Sequence, residues 1–167
     1  MADSEEDTIG DVRSWLAELE RRRDGFKGQV EEGLEGAIGQ VLEEEGVTLS
    51  LGPIRWPPVD FTFVDTPPLL VASPRNRIYR KEDVLLKAKI PLVERMTLEE
   101  EVFQELDLSS LVVDIGGVAT YPAIIAPQSD LHRALVTASH EWVHHFFYFR
   151  PLGQRFRTNA KLMTLNE

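Results

Sequence analysis

Hydrophobic positions follow two regimes along this chain. In the first, Ile9, Val12, Leu16 and Leu19 keep helical spacing ahead of Arg21-Arg22-Arg23-Asp24-Gly25, and Val30, Leu34, Ala37, Ile38, Val41 and Leu42 resume it before Gly46. Two helices, or one broken helix, are predicted. Gly33, Gly36 and Gly39 recur every three residues on this acidic surface helix, and each costs up to about 1 kcal/mol relative to Ala, which suggests a stripe that another backbone approaches. From Val47 the pattern turns β-like. Short runs over Thr48 to Ile54, Val59 to Val64 and Leu69 to Ala72 are broken by Pro57-Pro58, Pro67-Pro68 and Pro74, as in a small, partly antiparallel sheet.

Asp83 to Lys89 is ambiguous between strand and helix, and Leu92 to Leu106 reads as an amphipathic helix. Leu111 to Ile115 and Val118 to Ala126 read as a β pair turning at Gly116-Gly117. The longest helical signal starts at Ser129 or Asp130, either of which can cap it, and ends at Phe149 or Arg150 before Pro151. A last short helix is predicted over Asn159 to Asn166. The fold class is α+β, with an acidic helical segment at 1–46 and an α+β domain at 47–167.

Charge sharpens that division. The 167 residues carry a formal net charge of −10, and residues 1–46 alone hold −9 of it. Phosphate is repelled by such a chain, so no nucleic-acid partner is expected. No apolar run is long enough to span a bilayer, and the acidic opening Met1-Ala2-Asp3-Ser4-Glu5-Glu6-Asp7 is unlike a secretory signal. The default location is therefore cytoplasmic, with membrane anchoring or secretion left open if the chain is a fragment; oligomeric state is not legible. With no Cys, nothing requires oxidising conditions.

The chemistry concentrates in His140-Glu141-Trp142-Val143-His144, an H-E-x-x-H pattern on the long helix. Two His at i and i+4 lie about 40° apart around a helix, so both imidazoles leave one face at a separation suited to a single tetrahedral Zn2+ ion. Glu141 projects about 100° from His140, beside the metal, where its carboxylate can hold a metal-bound water and take its proton. Arg133, Thr137, His140, Glu141, His144 and Tyr148 fall within one arc of roughly 100°, while apolar residues cover most of the rest, which predicts a buried helix with one polar stripe facing a cleft. His145 points about 100° away from His144, as an outer-shell or packing residue.

A catalytic zinc wants a third protein ligand. Downstream of His144 the chain offers His145, no Asp, and one carboxylate side chain, Glu167, 23 residues on. No phosphate loop, dinucleotide fingerprint, Ser nucleophile elbow or Cys nucleophile is present. Tyr148 and Arg133 are candidates, by helical phase, for stabilising a transition state or touching substrate. Gly117 to Ile125 is the candidate substrate-pairing edge strand, since Pro122 suits an edge.

His140-Glu141-Trp142-Val143-His144, followed at this interval by Asn166-Glu167 on a predicted helix, resembles the gluzincin metallopeptidases, the class that includes thermolysin and the M1-type aminopeptidases. The resemblance covers about the final 40 residues. It implies a zincin-like mixed sheet packed on the active-site helix, and a peptide or protein substrate lying antiparallel to an edge strand. It implies zinc held by His140, His144 and Glu167, with Glu141 as general base and acid. Because Glu167 ends the chain, the expectation is the front part of a longer enzyme, cut within a helix. The alternative is a catalytically silent zincin-like binding or scaffold domain.

Overall fold

The computed structural model describes residues 2–52, 54–77, 79–127 and 130–156. It is a mixed α+β fold, built from one very long helix, three small sheets and two further helices with a short terminal one. Among the described residues no helix is long and apolar enough to cross a membrane.

The first regime forms one continuous helix, α1 (Ala2–Glu44), rather than two. Gly25 and Gly28 sit in open surroundings within it and do not break it. The close approach expected at the glycine stripe is not there either. A Cβ at Gly33 or Gly36 would meet nothing within 4 Å, and at Gly39 it would meet the side chains of Arg55 and Val59. What ends α1 is Gly46, at φ 65. Its N–H reaches the Glu43 carbonyl at 3.0 Å while the Val47 N–H reaches that of Leu42 at 3.0 Å, the paired closure that a left-handed residue permits.

Beyond it, β1 (Leu49–Leu51) and β2 (Ile54–Trp56) form a two-stranded antiparallel ribbon. Strand β3 (Phe61–Phe63) is followed by β4 (Leu69–Pro74) and β5 (Glu82–Leu85), which resolves the ambiguous 83–89 stretch as a strand at its start. Helix α2 (Leu92–Leu106) has the predicted bounds and ends at Asp107, at φ 52. Strand β6 (Leu108–Val113) then pairs antiparallel with β4, giving a sheet of order β5-β4-β6. Leu70, Ala72, Leu108 and Val112 of this sheet bury one face against Val102 of α2.

That pairing corrects the expected hairpin across Gly116-Gly117. β7 (Gly117–Val118) is antiparallel to β8 (Ala123–Ile125), and β8 is parallel to β3, in a separate mixed sheet of order β3-β8-β7. Gly116 thus carries the chain from one sheet to the next. Phe61, Ala123 and Ile125 bury one face of this second sheet against Ile38 of α1 and Ala138 of helix α3 (Leu131–Tyr148).

The outer edge of β3 is closed by acids of α1. Glu35 Oε1 accepts from the Phe61 N–H at 2.9 Å, and Glu31 Oε1 accepts from the Phe63 N–H at 2.6 Å and the Thr62 hydroxyl at 3.0 Å. Four helical residues, rising about 6.0 Å, nearly match two strand residues of about 6.6 Å, so carboxylates four apart meet N–H groups two apart. Burial pushes the Glu35 carboxyl up, against the lowering effect of the Phe61 hydrogen bond.

After α3, α4 (Pro151–Phe156) begins at the proline expected to stop helix formation. Pro interrupts a helix interior, yet its fixed φ and missing N–H suit the first position of a new one. The helix expected over 159–166 lies outside the described residues.

Candidate metal centre

α3 is set by its caps and by small residues. Asp130 accepts from the Arg133 N–H at 2.9 Å, and the carboxylate at the N-terminus complements the unpaired N–H groups of the first turn. Ala134 and Ala138 are 3% and 2% exposed, which lets the β3-β8-β7 sheet come close, and Trp142 fills the next turn at 2%. The Trp142 indole N–H donates to the Pro57 carbonyl at 2.9 Å, and its ring stacks on Phe146 at 5.4 Å. Replacing Trp142 by Phe keeps the ring packing but leaves that carbonyl unpaired. Urea denaturation is expected to show a loss of about 1–3 kcal/mol; an unchanged midpoint would mean the bond contributes nothing.

The buried side of α3 differs from the expected one. Its buried positions are Ala134, Ala138, Glu141 and Trp142, whereas Leu131, Val136, Val143 and Phe147 are exposed. The helix is covered on one side only. The covered side is the one that carries Ala134, Ala138 and Trp142, and the apolar residues on the other sides stay in solvent.

His140 and His144 converge. Their Nε2 atoms are 3.2 Å apart, with ring centroids at 4.8 Å and planes at 88°. Two nitrogens each about 2.05 Å from one tetrahedral ion would be about 3.3 Å apart. The observed separation is close to that value, and it is also the distance of a direct hydrogen bond between the two rings. Of the third expected ligand, Glu167, nothing is described, since it lies outside the described residues. Among the described residues no group of three His, Cys, Asp or Glu side chains is gathered to hold a metal.

Glu141 is the one buried charged residue among those described, 6% exposed, and burial pushes its carboxyl up to about 7. β7 holds it in place from above. A Cβ at Gly117 would come within 2.6 Å of Glu141 Oε1, 2.7 Å of Thr137 Cγ2 and 2.9 Å of Glu141 Cγ, distances no side chain can occupy. Only glycine lets this strand cross α3 at the Thr137–Glu141 step. Gly116 is less constrained, its Cβ position lying 3.5 Å from Thr137 Oγ1. This crossing was not foreseen from the sequence, where Gly116-Gly117 reads as a turn.

The strand's orientation follows from its bonds. Gly116 accepts from the Ala126 N–H at 2.8 Å, and antiparallel alternation then turns Val118 toward β8 and the Gly117 N–H and C=O toward the open edge. His145, on another side of α3, bonds through Nε2 to the Thr120 carbonyl at 2.7 Å and lies 5.6 Å from the Tyr121 ring, tying the β7–β8 loop to the helix. That bond places the proton on Nε2.

Arg133 and Tyr148 sit at opposite ends of α3. Arg133, seven residues and about 10 Å along the axis from His140, faces Asp130 at 3.7 Å. Tyr148 is exposed, with its ring against Phe149 at 5.1 Å. No protein-family model, curated protein or solved structure gives a significant match to the chain.

Proposed function

We propose that this protein is a zinc metallopeptidase of the gluzincin kind, with a zincin-like arrangement in which β3-β8-β7 lies on α3. The observation that carries the reading is the 3.2 Å separation of the His140 and His144 Nε2 atoms on one helix, with the buried Glu141 carboxyl on the next residue. His140 and His144 would hold the ion, with Glu167 as third ligand. Bound there, zinc supplies Lewis acidity that lets water act as a nucleophile near neutral pH.

The chain's own residues then do the rest. A peptide runs antiparallel to β7 and exchanges hydrogen bonds with the outward N–H and C=O of Gly117. Glu141 takes the proton of the water that adds to the scissile carbonyl carbon and returns it to the nitrogen as the C–N bond breaks. A carboxyl raised toward neutrality by burial serves both transfers, since it neither holds nor loses the proton too firmly at pH 7.

Metal analysis after chelation and reloading tests the reading. About one zinc per chain is expected, with affinity reduced at least about 100-fold in His140→Ala and His144→Ala, and cleavage of a mixed peptide library by the loaded protein. Zinc binding without cleavage would instead favour the silent scaffold. Absence of both would remove the metal from the account.

A further inference from the structure

From Glu31 onward α1 packs on the β3-β8-β7 sheet through Glu31, Leu34, Glu35, Ile38 and Leu42. The preceding 29 residues, about 43 Å of helix, carry apolar side chains that no described residue covers. Ile9, Val12, Leu16, Leu19, Phe26 and Val30 are between 39% and 61% exposed. Their spacing is 3, 4, 3, 7 and 4, an uninterrupted heptad seam with Arg23 at the one polar position. An isolated helix of this kind is marginal in water, and most helical stability in proteins comes from packing an apolar face. This seam is turned roughly 100° from the side that carries Glu31, Glu35 and Ile38, and the body reaches its flank with Asp65 and Lys89, which act electrostatically on Arg23 and Glu20.

We infer that residues 8–27 of α1 form an antiparallel coiled coil with a second copy of this chain. Charge selects both the occupant and its direction. Although residues 1–46 are strongly acidic, residues 8–27 hold four acids and five bases, so two copies of this stretch do not repel as wholes. In a parallel pair Arg23 would meet the partner's Arg23 in the seam, and Arg22 would flank the partner's Lys27, two like-charge contacts. The antiparallel register that places Leu16 against the partner's Leu19 removes both. Ile9 then meets the partner's Phe26, and Arg23 meets the partner's Val12 and extends its charge to solvent. Arg13 flanks the partner's Glu20 on one side, and Trp15 flanks the partner's Arg22 on the other. Each contact occurs twice by symmetry. Glu31, where packing on β3 begins, falls opposite residue 4 of the other copy, so the two bodies lie at opposite ends.

Sedimentation of the full chain across the micromolar range tests this independently of any metal chemistry. A monomer–dimer equilibrium is expected. Leu16→Asp with Leu19→Asp weakens association at least about tenfold, while urea denaturation followed by near-ultraviolet dichroism, which reports the body, is unchanged. Arg13→Glu weakens it about fivefold, and adding Glu20→Arg restores it, since only the antiparallel register sets these two positions against each other. A monomer at every concentration, a dimer indifferent to the two aspartates, or failure of the exchanged charges to restore association would overturn the proposal.

Discussion

Glu141→Gln is expected to lower peptide cleavage by the zinc-loaded protein by about 10²- to 10⁴-fold, the range attributable to a positioned general base, while zinc stoichiometry stays unchanged. The amide fills the same buried space beside Gly117 and Thr137 but cannot take a proton. A second consequence appears in the metal-free protein. Burial raises the Glu141 carboxyl from its ordinary 4.5 to about 7, so the folded state keeps this proton where the unfolded state has lost it. The stability associated with the neutral carboxyl is complete below 4.5 and is lost as pH rises to 7. After allowance for solvent screening, that loss is about 1–2 kcal/mol. Glu141→Gln should lack it, being more stable than the parent at pH 8 and similar at pH 4 in urea titrations with chelator. Parallel pH–stability curves for the two proteins would show that the carboxyl is not held neutral by burial.

Gly117→Ala is the second large effect, and its neighbour provides the control. A methyl at Gly117 would occupy space 2.6 Å from Glu141 Oε1, so β7 or the carboxylate must move. Displacement of a reacting group by about 1 Å costs on the order of 100-fold in rate. The loss should fall on kcat with zinc affinity intact, because the three atoms nearest that methyl belong to Glu141 and Thr137 rather than to His140 or His144. Overpacking should also cost about 1–3 kcal/mol, so rates belong well below the melting temperature. Gly116→Ala, whose methyl would lie 3.5 Å from Thr137 Oγ1, should leave kcat nearly unchanged. Equal rates in the two variants would show that the crossing does not position Glu141.

The contrast between those two glycines shows where sequence reasoning succeeds and where it stops. Local periodicity sufficed for α2, whose predicted and observed bounds coincide, and for α3, whose Asp130 cap and Phe149 end are each one of the two positions expected. The i, i+4 spacing also sufficed for the convergence of His140 and His144, since helix geometry alone brings them together. Non-local choices were not legible. Pairing β6 with β4 rather than with the next strand depends on a partner nearly 40 residues upstream. The carboxylate clamp of Glu31 and Glu35 on β3 joins segments about 30 residues apart that share no sequence signal. α1 resisted segmentation for a different reason: its glycines lower helix propensity without supplying a stop, and the real stop at Gly46 acts through a left-handed conformation.

The clamp on β3 also governs how the β3-β8-β7 sheet can grow. An exposed strand margin is an invitation to any passing extended chain, and most proteins defend both margins. Here one margin is sealed by acids that satisfy its amide donors, while the other borders Glu141. Growth of this sheet by a further strand is thereby confined to the β7 margin.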